Sequence, residues 1–220
     1  MKFLSLAFLM IMIALASAGC ANPSGFHATF TANSFNMADA GSSYETGQVN
    51  IDFVGQRASS VFEFYAQDGK IYSGLTWAFG TNQTAYFMDT NGNCQESPSN
   101  VAFPTGWPAV IKDDGSYTIG VYPVEMLEVE SEVTSVNQTV FFDTDNCALV
   151  SSYLTNADES NPGFSTINYF NVGLPSEAAF QLPQACINAV GSSKSIFKFN
   201  HRHVQSASKA LQHTLNALSK

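Results

Sequence analysis

The chain has 220 residues, of which 45% are hydrophobic, 13% aromatic and only 12% charged, with a formal net charge of −9. So little charge beside eighteen Phe and eight Tyr excludes a disordered chain and a coiled coil. The acidic balance excludes a nucleic-acid binder, which needs a basic face.

Met1-Lys2, the apolar run from Phe3 to Leu15 and the small-x-small triplet Ala16-Ser17-Ala18 predict a secretory signal peptide over residues 1–18. The run is shorter than the roughly twenty residues that span a bilayer. The alternative is a lipoprotein signal ending on Cys20, but Ser17 stands where such a signal favours a larger aliphatic residue. No later apolar run reaches spanning length, so no transmembrane segment is expected. The remaining chain divides into a β domain over 19–190 and a basic tail over 191–220.

Within the body, Phe26, Ala28, Phe30 and Ala32 alternate with His27, Thr29, Thr31 and Asn33, the pattern of a half-buried strand. Val49, Ile51 and Phe53 repeat it. Phe62 and Phe64 share one face of a strand over 57–65, and Gln67-Asp68-Gly69-Lys70 turns the chain into a hairpin. In the next strand Ile71, Leu75, Trp77 and Phe79 share a face. A strand over 85–88 ends in Asp89-Thr90-Asn91-Gly92-Asn93. Three prolines, Pro98, Pro104 and Pro108, mark residues 95–115 as a long irregular crossing. Strands over 117–122, 133–142, 148–154 and 164–172 follow, with the alternating acids Glu125, Glu128, Glu130 and Glu132 between them. Pro175 opens a helical turn that runs to Phe180.

These amount to about nine or ten antiparallel strands, which make a sandwich or a strongly curved sheet approaching a barrel. The aromatic surplus has two readings. The rings pack a sandwich core, or they line a half-open barrel whose cavity takes an apolar ligand.

Charge is split along the chain. All eighteen acids lie at or before Glu177, and the only bases from Gly19 to Cys186 are Arg57, Lys70 and Lys112, a balance of −15. Beyond Cys186 come Lys194, Lys198, Arg202, Lys209 and Lys220 with no acid. From Val204 onward, Val204, Leu211, Leu215 and Leu218 fall near one helical face, predicting an amphipathic helix. It is read either as docked on the acidic body or as a membrane-surface or partner-binding segment.

Four cysteines follow the signal, Cys20, Cys94, Cys147 and Cys186, which an oxidising compartment would join as two disulfides in one of three pairings. Asn82-Gln83-Thr84 and Asn137-Gln138-Thr139 are glycosylation acceptors in form. No nucleophile elbow, zinc motif or phosphate loop is present. His27 is the single histidine of the body, so a hydrolase triad has little to draw on, and a hydrolase is the weakest alternative. His201-Arg202-His203 reads as a solvated tail rather than a metal grip. Two oxygen-rich turns are candidate calcium sites, one with Asp89 and Asn91, the other with Asp143 and Asp145. Turn formation explains both equally well.

Gly55-Gln56-Arg57, Val61-Phe62-Glu63-Phe64-Tyr65, Asp68-Gly69, Ile71-Tyr72 and Cys94 resemble the central part of ependymin-related proteins. Gly173-Leu174-Pro175, Phe180, Pro183 and Cys186 are similar to that family's closing motif. The resemblance covers roughly residues 20 to 186. It implies a secreted or lysosomal glycoprotein of no known catalysis. Its fold would be that of bacterial lipoprotein carriers of the LolA and LppX kind: a curved antiparallel half-barrel over an apolar pocket. It implies a hydrophobic or lipid-like ligand, calcium association, a homodimer, and pairings Cys20–Cys147 and Cys94–Cys186. It also makes Phe62, Phe64, Leu75, Trp77, Phe79, Phe141, Tyr169 and Phe170 the candidate lining of the concave side. The alternative to a carrier is an extracellular matrix or adhesion protein acting through calcium and glycans.

Overall fold

The structure is a computed structural model that describes residues 23–37, 40–99, 103–131, 136–157, 160 and 162–189. The predicted tail helix and the signal segment lie outside these residues.

Eleven strands form one antiparallel sheet. In chain order they are β1 (Gly25–Asn36), β2 (Gly41–Asp52), β3 (Arg57–Ala66), β4 (Ile71–Phe79), β5 (Thr84–Asp89) and β6 (Cys94–Pro98). After the crossing come β7 (Val110–Ile119), β8 (Tyr122–Val129), β9 (Val136–Asp143), β10 (Ala148–Asn156) and β11 (Gly163–Gly173). A 3-10 turn (Glu177–Phe180) and a short helix, α1 (Gln184–Ala189), close the described chain. The spatial order is β6-β5-β4-β3-β2-β1-β11-β10-β9-β8-β7. Two meanders therefore run outward from the central β1–β11 pair, and the sheet stays open, with β6 and β7 at its edges.

The sheet curls around the crossing. Phe26 on β1 and Phe142 on β9 are three strand steps apart, about 14 Å at the usual spacing. Yet the Trp107 ring lies 5.4 Å from the first and 6.4 Å from the second. A third ring, Phe53 just beyond β2, is 5.7 Å away. One indole meets all three because the sheet bends around it. The main core gathers there: Phe26, Ala28, Phe30, Val49, Ile51, Leu127, Val140, Phe142, Leu149 and Ile167 are all buried in one cluster with Trp107.

The opposite face carries a second cluster of Trp77, Tyr86 and Cys186, with Leu75, Phe79, Met88, Cys94 and Leu182 against it. The C-terminal segment covers this face. The Cys94–Cys186 disulfide ties it to β6, and Trp77 Nε1 donates to the Ala179 carbonyl at 3.3 Å. The Arg57 guanidinium stacks 4.5 Å over the Phe180 ring and donates to Glu177 Oε1 at 2.5 Å.

Several boundaries differ from the sequence expectation. The irregular crossing is shorter than 95–115, because β6 and the start of β7 claim its ends. The expected strand over 117–122 is interrupted by a hairpin tip: Tyr117 to Ile119 end β7, Gly120 adopts a positive φ of 64°, and Tyr122 opens β8. The acidic run is not a spacer, since Glu125 and Glu128 lie on β8. The Asp68-Gly69 turn closes its hairpin as expected, with Ala66 N donating to the Lys70 carbonyl and Gly69 N to that of Ala66.

Candidate functional site

Antiparallel register puts paired residues on one face, so the interior can be read row by row. One row runs Tyr72, Phe64, Glu45, Ala32, Ile167, Ser152, Val140, Leu127 from β4 to β8. A second runs Phe62, Gly47, Phe30, Tyr169. A third runs Ser43, Ser34, Ser165, Leu154, Gln138, Val129.

Burial along these rows is uneven. On β1 and on β9 to β11 the interior residues are mostly buried, whereas Phe62, Phe64, Tyr72 and Phe87 on β3 to β5 are only half-buried. Their rings pair off, Phe62 with Phe87 at 6.4 Å and Phe64 with Tyr72 at 6.2 Å. The Phe87 ring also lies over Gly74, where a Cβ would meet it at 2.5 Å, so the glycine is what lets the ring lie flat on the strand. The interior thus has an aromatic lip on one wing of the sheet and a closed core on the other.

Where the lip meets the core stands Glu45, only 3% exposed. Its Oε1 has no hydrogen-bond partner among the described residues. Burial holds its carboxyl well above the usual range, which favours the neutral acid. Gln138 Nε2, Ser152 Oγ and Glu125 Oε2 are likewise buried without a partner, and register turns all three inward. Other interior hydroxyls are satisfied in pairs, Ser60 with Thr76 at 2.7 Å and Ser34 with Ser165 at 2.9 Å. Burial also pushes the Tyr169 hydroxyl well up, its ring 5.9 Å from Phe26.

Register divides the eight aromatic and aliphatic residues expected on the concave side. Phe62, Phe64 and Tyr169 face the interior. Leu75 pairs with Val61 and Trp77 with Ser59, which turns Leu75, Trp77 and Phe79 to the opposite face under the C-terminal segment. Phe141 pairs with Met126 and Ser151 on that outer side, while its neighbour Phe142 takes the interior. Phe170 is 48% exposed, because it follows the inward Tyr169 and adjacent strand residues point to opposite faces. A bulge at Asn171, with φ of 53°, then lets Val172 join the core as well.

Both candidate calcium turns are closed by their own hydrogen bonds. Asp89 accepts from the Asn91 and Asn93 amides at 2.9 Å, and from the Asn93 side chain. Those bonds, with the Asn93 side chain foremost, hold the Asp89 carboxyl below its usual value. Asp143 repeats the arrangement with Asp145 and Asn146. Among the described residues no three His, Cys, Asp or Glu converge as a metal site. His27 sits on the outer face with Nδ1 2.8 Å from Asn50 Oδ1. Asn82, in the β4–β5 turn, and Asn137, on β9, are both exposed. Cys94 and Cys186 are joined. Cys147 is disulfide-bonded, and Cys20 lies outside the described residues.

Sequence reasoning missed Glu45, Tyr72, Phe87 and Trp107. The first was within reach: stepping back by twos from Ile51 and Val49 passes Gly47 and lands on Glu45. Trp107 sits in a Pro-rich crossing that carries no periodic signal.

Compared with known proteins, residues 18–213 match the family model of the ependymin domain of amoebozoa. An uncharacterized protein of Dictyostelium discoideum is 31% identical over 146 residues, 65% of this chain and 46% of its own length. The chain thus spans about half the length of that curated relative. Among solved structures, an uncharacterized conserved protein of Thermus thermophilus has a TM-score of 0.46 at 11% identity, covering 73% of this chain and 86% of that one. MucB in complex with MucA has a TM-score of 0.35 at 16% identity, covering 74% and 55%.

Proposed function

The chain belongs to the ependymin domain family, and from that premise we propose that it is a secreted glycoprotein that holds a hydrophobic or lipid-like ligand against the interior of its curled sheet. The observation that carries this reading is the aromatic lip. Phe62, Phe64, Tyr72 and Phe87 stay half-buried on a face that is otherwise closed, so apolar surface remains for a ligand to cover. Each Å² so covered contributes about 25 cal/mol, and a single alkyl chain laid across the rings would bind without any catalytic group.

Secretion is supported by the signal-like start of the chain. No helix among the described residues is long and apolar enough to cross a membrane. The exposed side chains of Asn82 and Asn137 support glycosylation at both positions. Binding, not turnover, is the role assigned.

Native mass spectrometry of protein purified from a secretory host, beside a denatured and deglycosylated control, tests the reading. A non-covalent adduct of lipid mass that is lost on denaturation is expected. A bare mass, together with no quenching of an added apolar fluorophore, overturns it.

A further inference from the structure

The ligand-binding reading leaves open what polar end the ligand carries, and the interior has an answer. We propose that it receives a single-chain amphiphile whose polar end is a protonated amine, with the Glu45 carboxyl as its counter-charge. This rests on the interior being the binding face.

The argument begins with what surrounds Glu45. Its cross-strand partners are Ala32 and Phe64, and the diagonal positions on the flanking strands hold Phe30, Ser34, Phe62 and Ala66. None of these titrates and none is charged. Ser34 is already bonded to Ser165. A carboxyl in such a place is costly to bury, and its Oε1 is given no partner among the described residues. The lip beside it, Phe62 and Phe64, is the half-open part of the interior. The group therefore lies where an alkyl chain resting on the rings would end.

The charge distribution selects among ligand ends. Of the three bases in the described chain, Arg57 is on the outer face with Asp52 and Glu177. Lys70 pairs with Asp68 in a turn, and Lys112 pairs with Asp114 on β7. None faces the interior. A fatty carboxylate would enter a space that holds Glu45, and Glu125 farther along the face, with no cation among the described residues to meet it. A fatty alcohol would be served as well by a Gln or Thr, at lower cost of burial. What an acid adds is a charge, and only a cationic end makes use of it.

The step balances in protons. Burial raises the carboxyl of free Glu45 and so favours its neutral form, and the amine arrives as an ammonium. Forming the carboxylate–ammonium pair releases a proton to solvent from each Glu45 carboxyl that was neutral before binding. The other titratable groups that register puts on this face, Tyr72, Tyr169, Glu125, Asp113 on β7 and Asp89 at the end of β5, do not flank Glu45.

The test is titration calorimetry of the full chain with dodecylamine, dodecanol and dodecanoate, each below its micellar concentration, in two buffers of different ionisation enthalpy. Dodecylamine is expected to bind about tenfold tighter than dodecanoate, about 1.4 kcal/mol, and to release a proton, while dodecanol releases none. Glu45→Gln should bring the amine down to the affinity of the alcohol, abolish the proton release and leave dodecanol binding unchanged. Equal affinity for amine and carboxylate, or amine binding unaltered by Glu45→Gln, overturns the proposal while leaving the hydrophobic-ligand reading in place. Failure of all three probes to bind overturns both.

Discussion

Replacing Trp107 by Ala tests whether the sheet truly curls around the crossing. The indole is 8% exposed and meets Phe26, Phe53 and Phe142 edge-on. Removing a buried Trp costs about 3–5 kcal/mol, and edge contacts of this kind add about 0.5–1.5 kcal/mol each to the burial term. The expected loss is therefore at the upper end, a large share of the roughly 5–15 kcal/mol that holds a domain together. Urea unfolding followed by circular dichroism reads it: at a slope of about 2 kcal/mol/M the midpoint should fall by about 2 M. Trp107→Phe should recover most of the loss, since an aromatic edge still reaches Phe26. Val121→Ala at the exposed β7–β8 tip is the control and should stay within about 0.5 kcal/mol. A loss below about 1 kcal/mol for Trp107→Ala would mean that the crossing lies on the surface, and the curl and the interior derived from it would fall together.

Opening the Cys94–Cys186 bridge, which closes a sequence separation of 92 residues, should cost about 4–5 kcal/mol on the chain-entropy account. It should also expose Trp77, seen as a red shift in its emission; no shift would mean that the C-terminal segment stays docked without the bridge. Glu45 has a raised pKa in the folded chain, so the folded state keeps a proton that the unfolded state loses above the usual value of 4.5. Stability should therefore fall as pH rises from there until the folded group ionises, by at most about 1.4 kcal/mol per pH unit. Glu45→Gln should match the parent in acid and exceed it near neutrality, and parallel pH profiles would refute the burial. Asn82→Gln and Asn137→Gln should each remove one glycan step in gel mobility when the chain is expressed through a secretory host. A mobility that neither substitution changes would show both acceptors unused.

The alternation of Phe26 to Asn33 and the Asp68-Gly69 hairpin were legible because each depends on neighbours in sequence. Faces were harder. Phe62 and Phe64 share a face, and so do Leu75, Trp77 and Phe79, but which group faces which depends on the register of the β3–β4 hairpin. Pairing Ser59 with Trp77 turns the second group outward, and no pattern within either strand could say so. The same limit explains Phe141 and Phe170, each adjacent to the residue that does face inward. The strand β8 was hidden because Glu125 and Glu128 break the hydrophobic alternation. The first half of β2 was hidden because Ser42, Ser43, Thr46 and Gly47 lack the bulk of a core strand. Glu45 lies in that quiet stretch.

Glu45, Glu125, Gln138 and Ser152, four of the side chains with buried polar atoms that lack a partner among the described residues, lie on the interior face of the sheet. On the outer face most polar groups find partners within reach, Arg57 bridging Asp52 and Glu177 and His27 meeting Asn50; Glu96, paired with Tyr86 on that side, is the exception, its Oε2 buried without a partner among the described residues. There the C-terminal segment closes over Trp77 with a disulfide to hold it. In the interior, Trp107 of the crossing packs on the end of the sheet near Phe26, Phe53 and Phe142. Farther along the same strands Phe62 and Phe64 are only half-buried, and Glu45, Gln138 and Ser152 keep hydrogen-bonding atoms without a partner among the described residues. A core selected only for stability would place apolar side chains there, since a buried polar atom without a partner costs about 1–3 kcal/mol. Their retention on one continuous face, beside the half-open aromatic lip, is the pattern expected when something other than the chain completes the interior.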